Sequence, residues 1–391
     1  MKKVLFLSFY YEPDLCAGSF RNTSLAKELG SLLKGKVEID VFTTLPNRYK
    51  TYQKNAPIYE KIENLNIHRI KISKHNNGFL DQIKSFSTFF FEVTKMTKSE
   101  HYDLVYASSS RLFTAYLGYR IANKKNIPFY IDIRDIFLDT MKDLLGHNPL
   151  KLLILPFLKY IENITFSKAN HINLISGGFS EYFSSYKRAQ LTFFTNGIDN
   201  EFLNLIEPPQ NKKTRMVILY AGNIGEGQGL HKFVPDLAKN FEMQYDFVII
   251  GDGGAKQKLI NRILETKCSN IYIKDPISRN SLIKEYEGAD FLLLHLNDLN
   301  AFKKVLPSKI FEFGATDKPI IAGVAGYSAK FLLEHVSNLI LVEPCDYIEC
   351  IRKLKKYNYK RFKRIEFIEK FNRTNINRQM ATSIASYLPV Q

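Results

Sequence analysis

Short runs rich in β-branched and aromatic residues recur along this chain with helical spacing between them, and no other feature limits the fold more. The first series is VLFLSF from Val4, VEIDVFTT from Val37, IHRIKI from Ile67, DLVYAS from Asp103, PFYIDI from Pro128 and HINLIS from His171. Between them, Ser24 to Leu33 carries Leu25, Leu29, Leu32 and Leu33 on one side, the stripe of an amphipathic helix. Strand–helix alternation of this kind predicts a parallel, doubly wound sheet.

The pattern then stops and restarts. After the turn-rich FTNGIDNEF and the polar EPPQNKKTR come MVILYAGN, YDFVIIGDGG, IYIKDP, ADFLLLHL, KPIIAG and LILVEP. The expected domains are therefore residues 1–205 and 206–371, followed by an amphipathic helix within 372–391 that either domain could receive, a return to the first being one option. Two α/β units joined by a Pro- and Lys-rich linker imply a cleft, and open α/β sheets bind ligands beyond the carboxyl ends of their strands.

At 391 residues with 45% hydrophobic content, the chain has the size and apolar fraction for such a pair of folded domains. MKKVLFLSFYYEPD reads as a buried first strand, because Glu12-Pro13-Asp14 ends the apolar run and no small-residue cleavage site follows. A spanning helix needs roughly 18 uncharged apolar residues. The best candidate, LKLLILPFLKYIENITF, is interrupted by Lys151, Lys159 and Glu162, so a soluble or peripheral protein is expected. Cys16, Cys268, Cys345 and Cys350 form no Cys-x-x-Cys pair, which fits reduced thiols in a cytosolic setting. The net charge of +16 would attract nucleic acid, anionic lipid or phosphorylated ligands alike, or it reflects a genomic composition bias. No helix-turn-helix spacing, zinc ligands or RNP-like strand accompanies it, so nucleic acid is not an expected partner.

Four segments could carry chemistry. In YYEPDLCAGSFRNTSLAKEL, Gly18 and Ser19 precede a helix whose amides could face an anion, although by themselves they fit a purely structural turn better. The Walker and Gly-x-Gly-x-x-Gly patterns are absent there, and GDGGAK from Gly251 also misses the dinucleotide spacing. IDIRDIF sets Asp132, Arg134 and Asp135 at a strand end among apolar residues. There, Arg134 and Asp135 either pair to fix a loop, or Asp135 serves as a carboxylate for a reacting hydroxyl. LYAGNIGEGQGLHKF supplies four glycines between strand and helix, letting backbone approach a bulky anion. In KKVLPSKIFEFGATDKPIIAG, Pro307-Ser308 start a helix on which Ser308 and Lys309 offer anion contacts. Glu312 lies one turn on, either chelating vicinal hydroxyls or standing exposed on a capped helix.

Taken in order, GSFRNTSLAKEL, IRDIF, TNGID from Thr195, YAGNIGEGQGL, IIGDGG and PSKIFEFGATDKPIIA resemble glycosyltransferase family 4, and the middle of the chain resembles its O-antigen and capsule N-acetylfucosaminyltransferase-like members. The resemblance implies a GT-B fold, two Rossmann-like doubly wound domains facing a central cleft, and retaining transfer from a nucleoside-diphosphate sugar without metal or other cofactor. The absence of an Asp-x-Asp sequence agrees. By matching positions, Glu312 would hold the donor ribose, while Ser308, Lys309, Gly222 and Asn223 would face the diphosphate, with Pro276 and Ile277 in the same donor set. Gly18 and Ser19 would complete the anion site, Asp135 would meet an acceptor or sugar hydroxyl, and Arg21 and Arg134 would touch the acceptor. The family's paired glutamates are incomplete, since Lys304 replaces the first; Asn223 and Gln228 stand where Arg and Lys are common. Lys303, Lys304 and Lys309 could supply the missing positive charge.

The resemblance further implies a lipid-linked, undecaprenyl-diphosphate saccharide acceptor and a place on the anionic inner face of a bacterial plasma membrane. Residues 78–98 combine Phe79, Leu80, Ile83, Phe86, Phe89, Phe90 and Phe91 with Lys84, Lys95 and Lys98, as an interfacial helix or an amphipathic core helix would. LKLLILPFLK from Leu150 is a second candidate, favoured as a buried helix. Rival readings are a sugar-nucleotide 2-epimerase and a catalytically silent nucleotide- or glycan-binding module.

Overall fold

The computed structural model describes residues 1–47, 54–72, 79–109, 112–146, 148–203 and 214–388. It divides into two compact units, Met1–Asn196 with Thr374–Gln391, and Gly197–Arg373. Most of the linker EPPQNKKTR lies outside the described residues.

Unit 1 is built on eight strands: β1 (Lys2–Leu7), β2 (Val37–Thr44), β3 (Tyr59–Ile62), β4 (Leu65–Ile70), β5 (Leu104–Ser109), β6 (Phe129–Ile133), β7 (His171–Leu174) and β8 (Gln190–Thr192). They form one sheet in the order β3-β4-β2-β1-β5-β6-β7-β8, parallel except for β3. Its helices are α1 (Ala17–Leu32), α2 (Phe79–Thr97), α3 (Leu112–Lys125), α4 (Phe137–Leu145) and α5 (Lys151–Phe166). All six expected strands are present. The two additional ones, YEKI and QLT, are short edge strands without an apolar run, so they give little sequence signal. In α1, Leu25, Leu29 and Leu33 enter the core as expected, whereas Leu32 faces outward.

The C-terminal helix, Arg373–Ala385, belongs to unit 1: Met380, Ala381, Ile384 and Leu388 join the core made by β1, β2 and α1. Asn377 donates to Ser24 Oγ at 2.9 Å. The first boundary falls ahead of the expected 205/206, because Ile198 and Phe202 are buried in unit 2's core.

Unit 2 repeats the architecture with β9 (Met216–Ala221), β10 (Tyr245–Ile250), β11 (Ile271–Lys274), β12 (Phe291–His295), β13 (Ile320–Gly323) and β14 (Leu339–Val342). The sheet is all-parallel, ordered β11-β10-β9-β12-β13-β14, with a separate apolar core against each face. The chain reverses strand order between β1 and β5 in unit 1 and between β9 and β12 in unit 2. Loops leaving the carboxyl ends at those points are where such sheets hold ligands.

Of two apolar helices in unit 1, the first falls within its open alternatives and the second departs from expectation. Helix α2 turns Phe86, Phe89 and Val93 inward and Phe91 outward; the side chains of Phe79, Leu80 and Ile83 lie outside the described residues. Helix α5, expected to be buried, packs Leu158, Ile161, Thr165 and Phe166 inward and leaves an apolar row on its other face. Leu150 is 54% exposed, Leu152 72%, Leu153 75%, Phe157 56% and Tyr160 62%. A helix apolar on both faces cannot bury both against one sheet layer. Among the described residues, no helix is long and apolar enough to cross a membrane.

Candidate functional site

In unit 1, three sequence candidates sit together at the carboxyl ends of β1 and β6. Gly18 and Ser19 lie in the first turn of α1, and Arg134 follows β6. A methyl group on Gly18 would stand 2.1 Å from Arg134 Nη1, so only glycine lets the guanidinium lie over the helix start. Among the described residues, the buried Ser19 hydroxyl has no hydrogen-bond partner, and neither does Nε of Arg134. A buried donor costs free energy unless something satisfies it, and two such donors beside a helix N-terminus suit an oxyanion. No Arg134–Asp135 ion pair forms among the described residues; the pair in this segment is Arg21–Asp132.

Asp135 follows directly, half-buried at the start of α4. Burial pushes its carboxyl up to about 6, against the opposing pull of the Ile136 amide, Arg134 and the Thr140 hydroxyl. Such a carboxylate is ionised at neutral pH yet basic enough to take a proton or a strong hydrogen bond from a hydroxyl.

Arg21, expected to touch an acceptor phosphate, is instead wholly buried, with Nε and Nη2 on the two Asp132 oxygens at 2.8 and 2.9 Å. Its remaining donors serve the carbonyls of Phe194 and Thr195 at 2.8 and 2.7 Å. Asn173 and Tyr106 complete the Asp132 shell. All three guanidinium nitrogens are bonded inside unit 1, so Arg21 holds β6, β7 and residues 194–195 together.

In unit 2 the glycine-rich loop leaves β9 at the switch point. Gly222 N bonds to the Ile250 carbonyl at 2.9 Å, and Tyr220 Oη donates to the Asn223 carbonyl at 2.6 Å. Asn223 Nδ2 donates to Gln228 Oε1 at 2.8 Å, and Gly225 N shares that acceptor at 3.2 Å. These two neutral amides therefore brace the loop against itself. Gly251 and Gly253 allow the neighbouring turn to close in, since a methyl group on either would strike the Gly222 or Ile224 carbonyl oxygen at 1.8 or 2.6 Å.

Glu312 lies on the short helix Lys309–Gly314 and is 7% exposed, which overturns the exposed-glutamate alternative. Lys309 Nζ and Tyr286 Oη each contact its Oε2 at 2.8 Å, and Lys309 Nζ also lies 2.9 Å from Tyr286 Oη. Burial alone would push this carboxyl up, but Lys309, Arg279 and the two hydrogen bonds hold it below its usual range. Arg279 itself pairs with Asp199 and Glu201. The Lys309 charge, expected to face a diphosphate, is thus directed at Glu312. Ser308 makes no capping hydrogen bond and leaves its hydroxyl available; Pro276 and Ile277 are half-buried after β11, just before Arg279. Lys303 lies 3.8 Å from Asp298 on a 3₁₀ turn whose Phe302 packs against Gly227.

Arg279, Tyr286 and His295 are not sequence candidates. Arg279 and Tyr286 lack a motif of their own and become visible only through the Glu312 cluster. The signal for His295 was a lone histidine ending an apolar strand.

The model for the glycosyl transferases group 1 family matches residues 202–372. The chain is 32% identical over 107 residues to the putative colanic acid biosynthesis glycosyl transferase WcaI of Escherichia coli K12. That stretch is 27% of this chain and spans about a quarter of the relative's length, 25%. Among solved structures, sucrose-phosphate synthase of Thermosynechococcus elongatus is similar with a TM-score of 0.73, at 13% identity and 99% coverage of both chains. Anabaena HepE, in complex with UDP and glucose, gives 0.67 at 15% identity, over 99% of this chain and 100% of that one. Likeness at such identity establishes the fold, two Rossmann-like units of the GT-B type. Residues 202–372, nearly all of unit 2, match the glycosyl transferases group 1 model, in line with the glycosyltransferase resemblance read from the sequence.

Proposed function

We propose that this protein is a retaining glycosyltransferase that moves a sugar, N-acetylated or deoxy, from a UDP-linked donor onto an undecaprenyl-diphosphate-linked saccharide in O-antigen or capsule biosynthesis. The observation that carries this reading is Glu312, a buried carboxylate kept ionised by Lys309 and Tyr286 within the family-matched unit. Because those partners occupy Oε2, we assign Oε1 to the vicinal ribose hydroxyls. The UDP complex of HepE, similar in fold, supports the choice of nucleotide.

In this reading the braced glycine loop at Gly222 and Asn223 receives the diphosphate, with Ser308, Pro276 and Ile277 completing the donor set. The bond from anomeric carbon to phosphate oxygen breaks and the nucleoside diphosphate departs. The acceptor oxygen bonds to the same face of that carbon. Asp135 accepts a hydrogen bond from the attacking hydroxyl, whose proton passes to the departing diphosphate oxygen, while Ser19 and Arg134 offer donors to an anionic oxygen. No metal or other cofactor enters the proposed step.

The acceptor's lipid implies work at a membrane, and we assign the outward row of α5 to an anionic bilayer on the cytoplasmic side. Leu152, Leu153 and Phe157 would enter the acyl boundary while Lys151 and Lys159 flank them. Charge favours that occupant, because unit 1 holds 28 lysines and arginines against 17 aspartates and glutamates. The test is incubation with labelled UDP-sugars and a lipid-linked saccharide. Label entering the lipid fraction supports transfer. Conversion of the nucleotide sugar without acceptor would instead indicate the 2-epimerase, and UDP binding without any turnover the silent module.

A further inference from the structure

Glycines at 222, 225, 227 and 229 give the β9 loop freedom but no preferred shape, and beyond the internal Asn223–Gln228 brace its order must be imposed from outside. Much of that constraint comes from the carboxyl end of β12, the strand beside β9 at the switch point. His295 is 1% exposed and its ring stacks on Phe233 with centroids 4.4 Å apart. The Cys345 amide donates to His295 Nε2 at 2.9 Å, so that nitrogen carries a lone pair. In a neutral ring the proton must then sit on Nδ1, which lies 2.6 Å from the Gln228 carbonyl oxygen. Burial lowers the imidazole to about 4, in keeping with a neutral ring.

Asn297, two residues on, takes the next two carbonyls. Its amide N donates to the Gly227 oxygen and its Nδ2 to the Glu226 oxygen, both at 2.9 Å. Three successive carbonyls of the loop are therefore drawn to one side by two residues of β12's end. The neighbouring strand makes room for the ring. Gly323 is paired with His295 across β12 and β13, and a methyl group there would stand 2.4 Å from the imidazole. Gly229, at φ +59°, passes within reach of Asn297, where a methyl group would meet its Cβ at 3.1 Å.

We propose that His295, as the Nδ1–H tautomer, and Asn297 are positioning residues that set the peptide planes of residues 226–228 before the nucleotide arrives. The inference rests on the reading of this loop as the donor diphosphate site. Two substitutions of similar size separate the two arms of the histidine. Asn can reproduce Nδ1–H and keep the Gln228 bond; Gln can reproduce Nε2 and keep only the Cys345 bond.

The experiment is UDP calorimetry on wild type, His295→Asn and His295→Gln, with hydrogen exchange of residues 222–229 in the nucleotide-free proteins. His295→Asn is expected to bind UDP within about threefold of wild type, and His295→Gln about tenfold more weakly, the equivalent of one lost hydrogen bond. Loop amides should exchange faster in His295→Gln alone. With a titratable donor, that loss should fall on KM rather than on kcat. Equal binding and equal exchange in the two variants would overturn the proposal, whether both matched wild type or both fell together. A wild type that binds no UDP would instead refute the donor reading, and the exchange data would still decide whether His295 orders the loop.

Discussion

Replacing Arg21 with methionine tests whether its charge is structural. The substitution keeps most of the side chain's length but removes five donors, leaving the Asp132 carboxylate buried at 0% side-chain exposure. Among the described residues, only Asn173 Nδ2 at 2.7 Å and Tyr106 Oη at 3.3 Å then serve it, while the Phe194 and Thr195 carbonyls lose their Arg21 donors. Breaking a buried pair on one side costs about 3–5 kcal/mol. The chain has two compact units, so one global midpoint would mix two transitions. Hydrogen exchange resolved by peptide avoids this: protection of β6, β7 and residues 190–196 should fall by about 3–5 kcal/mol in Arg21→Met, while β9 to β14 are unchanged. Arg21→Lys should lie between, since an ammonium cannot reproduce the two-pronged contact with Asp132. If Arg21→Met kept wild-type protection and lost only transfer, Arg21 would be an acceptor contact after all and the structural account would be refuted.

Asp135→Asn should lower turnover while leaving UDP affinity within about twofold, and the rise of wild-type turnover through pH about 6 should vanish in the variant; a retained limb would point to another group. Because burial raises this carboxyl's folded pKa, its stabilising contribution is present below about 4 and lost as pH rises through about 6. Asp135→Asn should therefore be more stable than wild type at pH 8 by on the order of 1 kcal/mol, checked by thermal midpoint. Gly18→Ala should push Arg134 off the start of α1 and cut transfer more than UDP binding, read by kcat against Kd. Leu153→Asp with Phe157→Asp should abolish sedimentation with anionic vesicles while leaving UDP binding intact. Loss of both would mean that the α5 row is structural instead.

How much of this was legible in the sequence depends on how local each signal is. All twelve apolar runs became strands, because a buried parallel strand needs a continuous run of such residues. The edge strands Tyr59–Ile62 and Gln190–Thr192 did not show, since an edge can be short and polar. The glycine loop and the helix bearing Glu312 were visible as spacing. The partners were not: Tyr286 reaches Glu312 across 26 positions of sequence, the charge of Arg279 acts on it from 33 positions away, and Asp132 lies 111 positions from Arg21. Helix α5 misled for the opposite reason. Composition shows how apolar it is, but not which face the sheet already covers.

The most direct test of the account is calorimetry of the purified protein with UDP, GDP, ADP and NAD, with Glu312→Ala alongside. The account predicts preferential UDP binding, weakened about 10- to 100-fold in Glu312→Ala through loss of charge-assisted hydrogen bonds. Absence of nucleotide binding, or UDP binding that ignores the substitution, would contradict it.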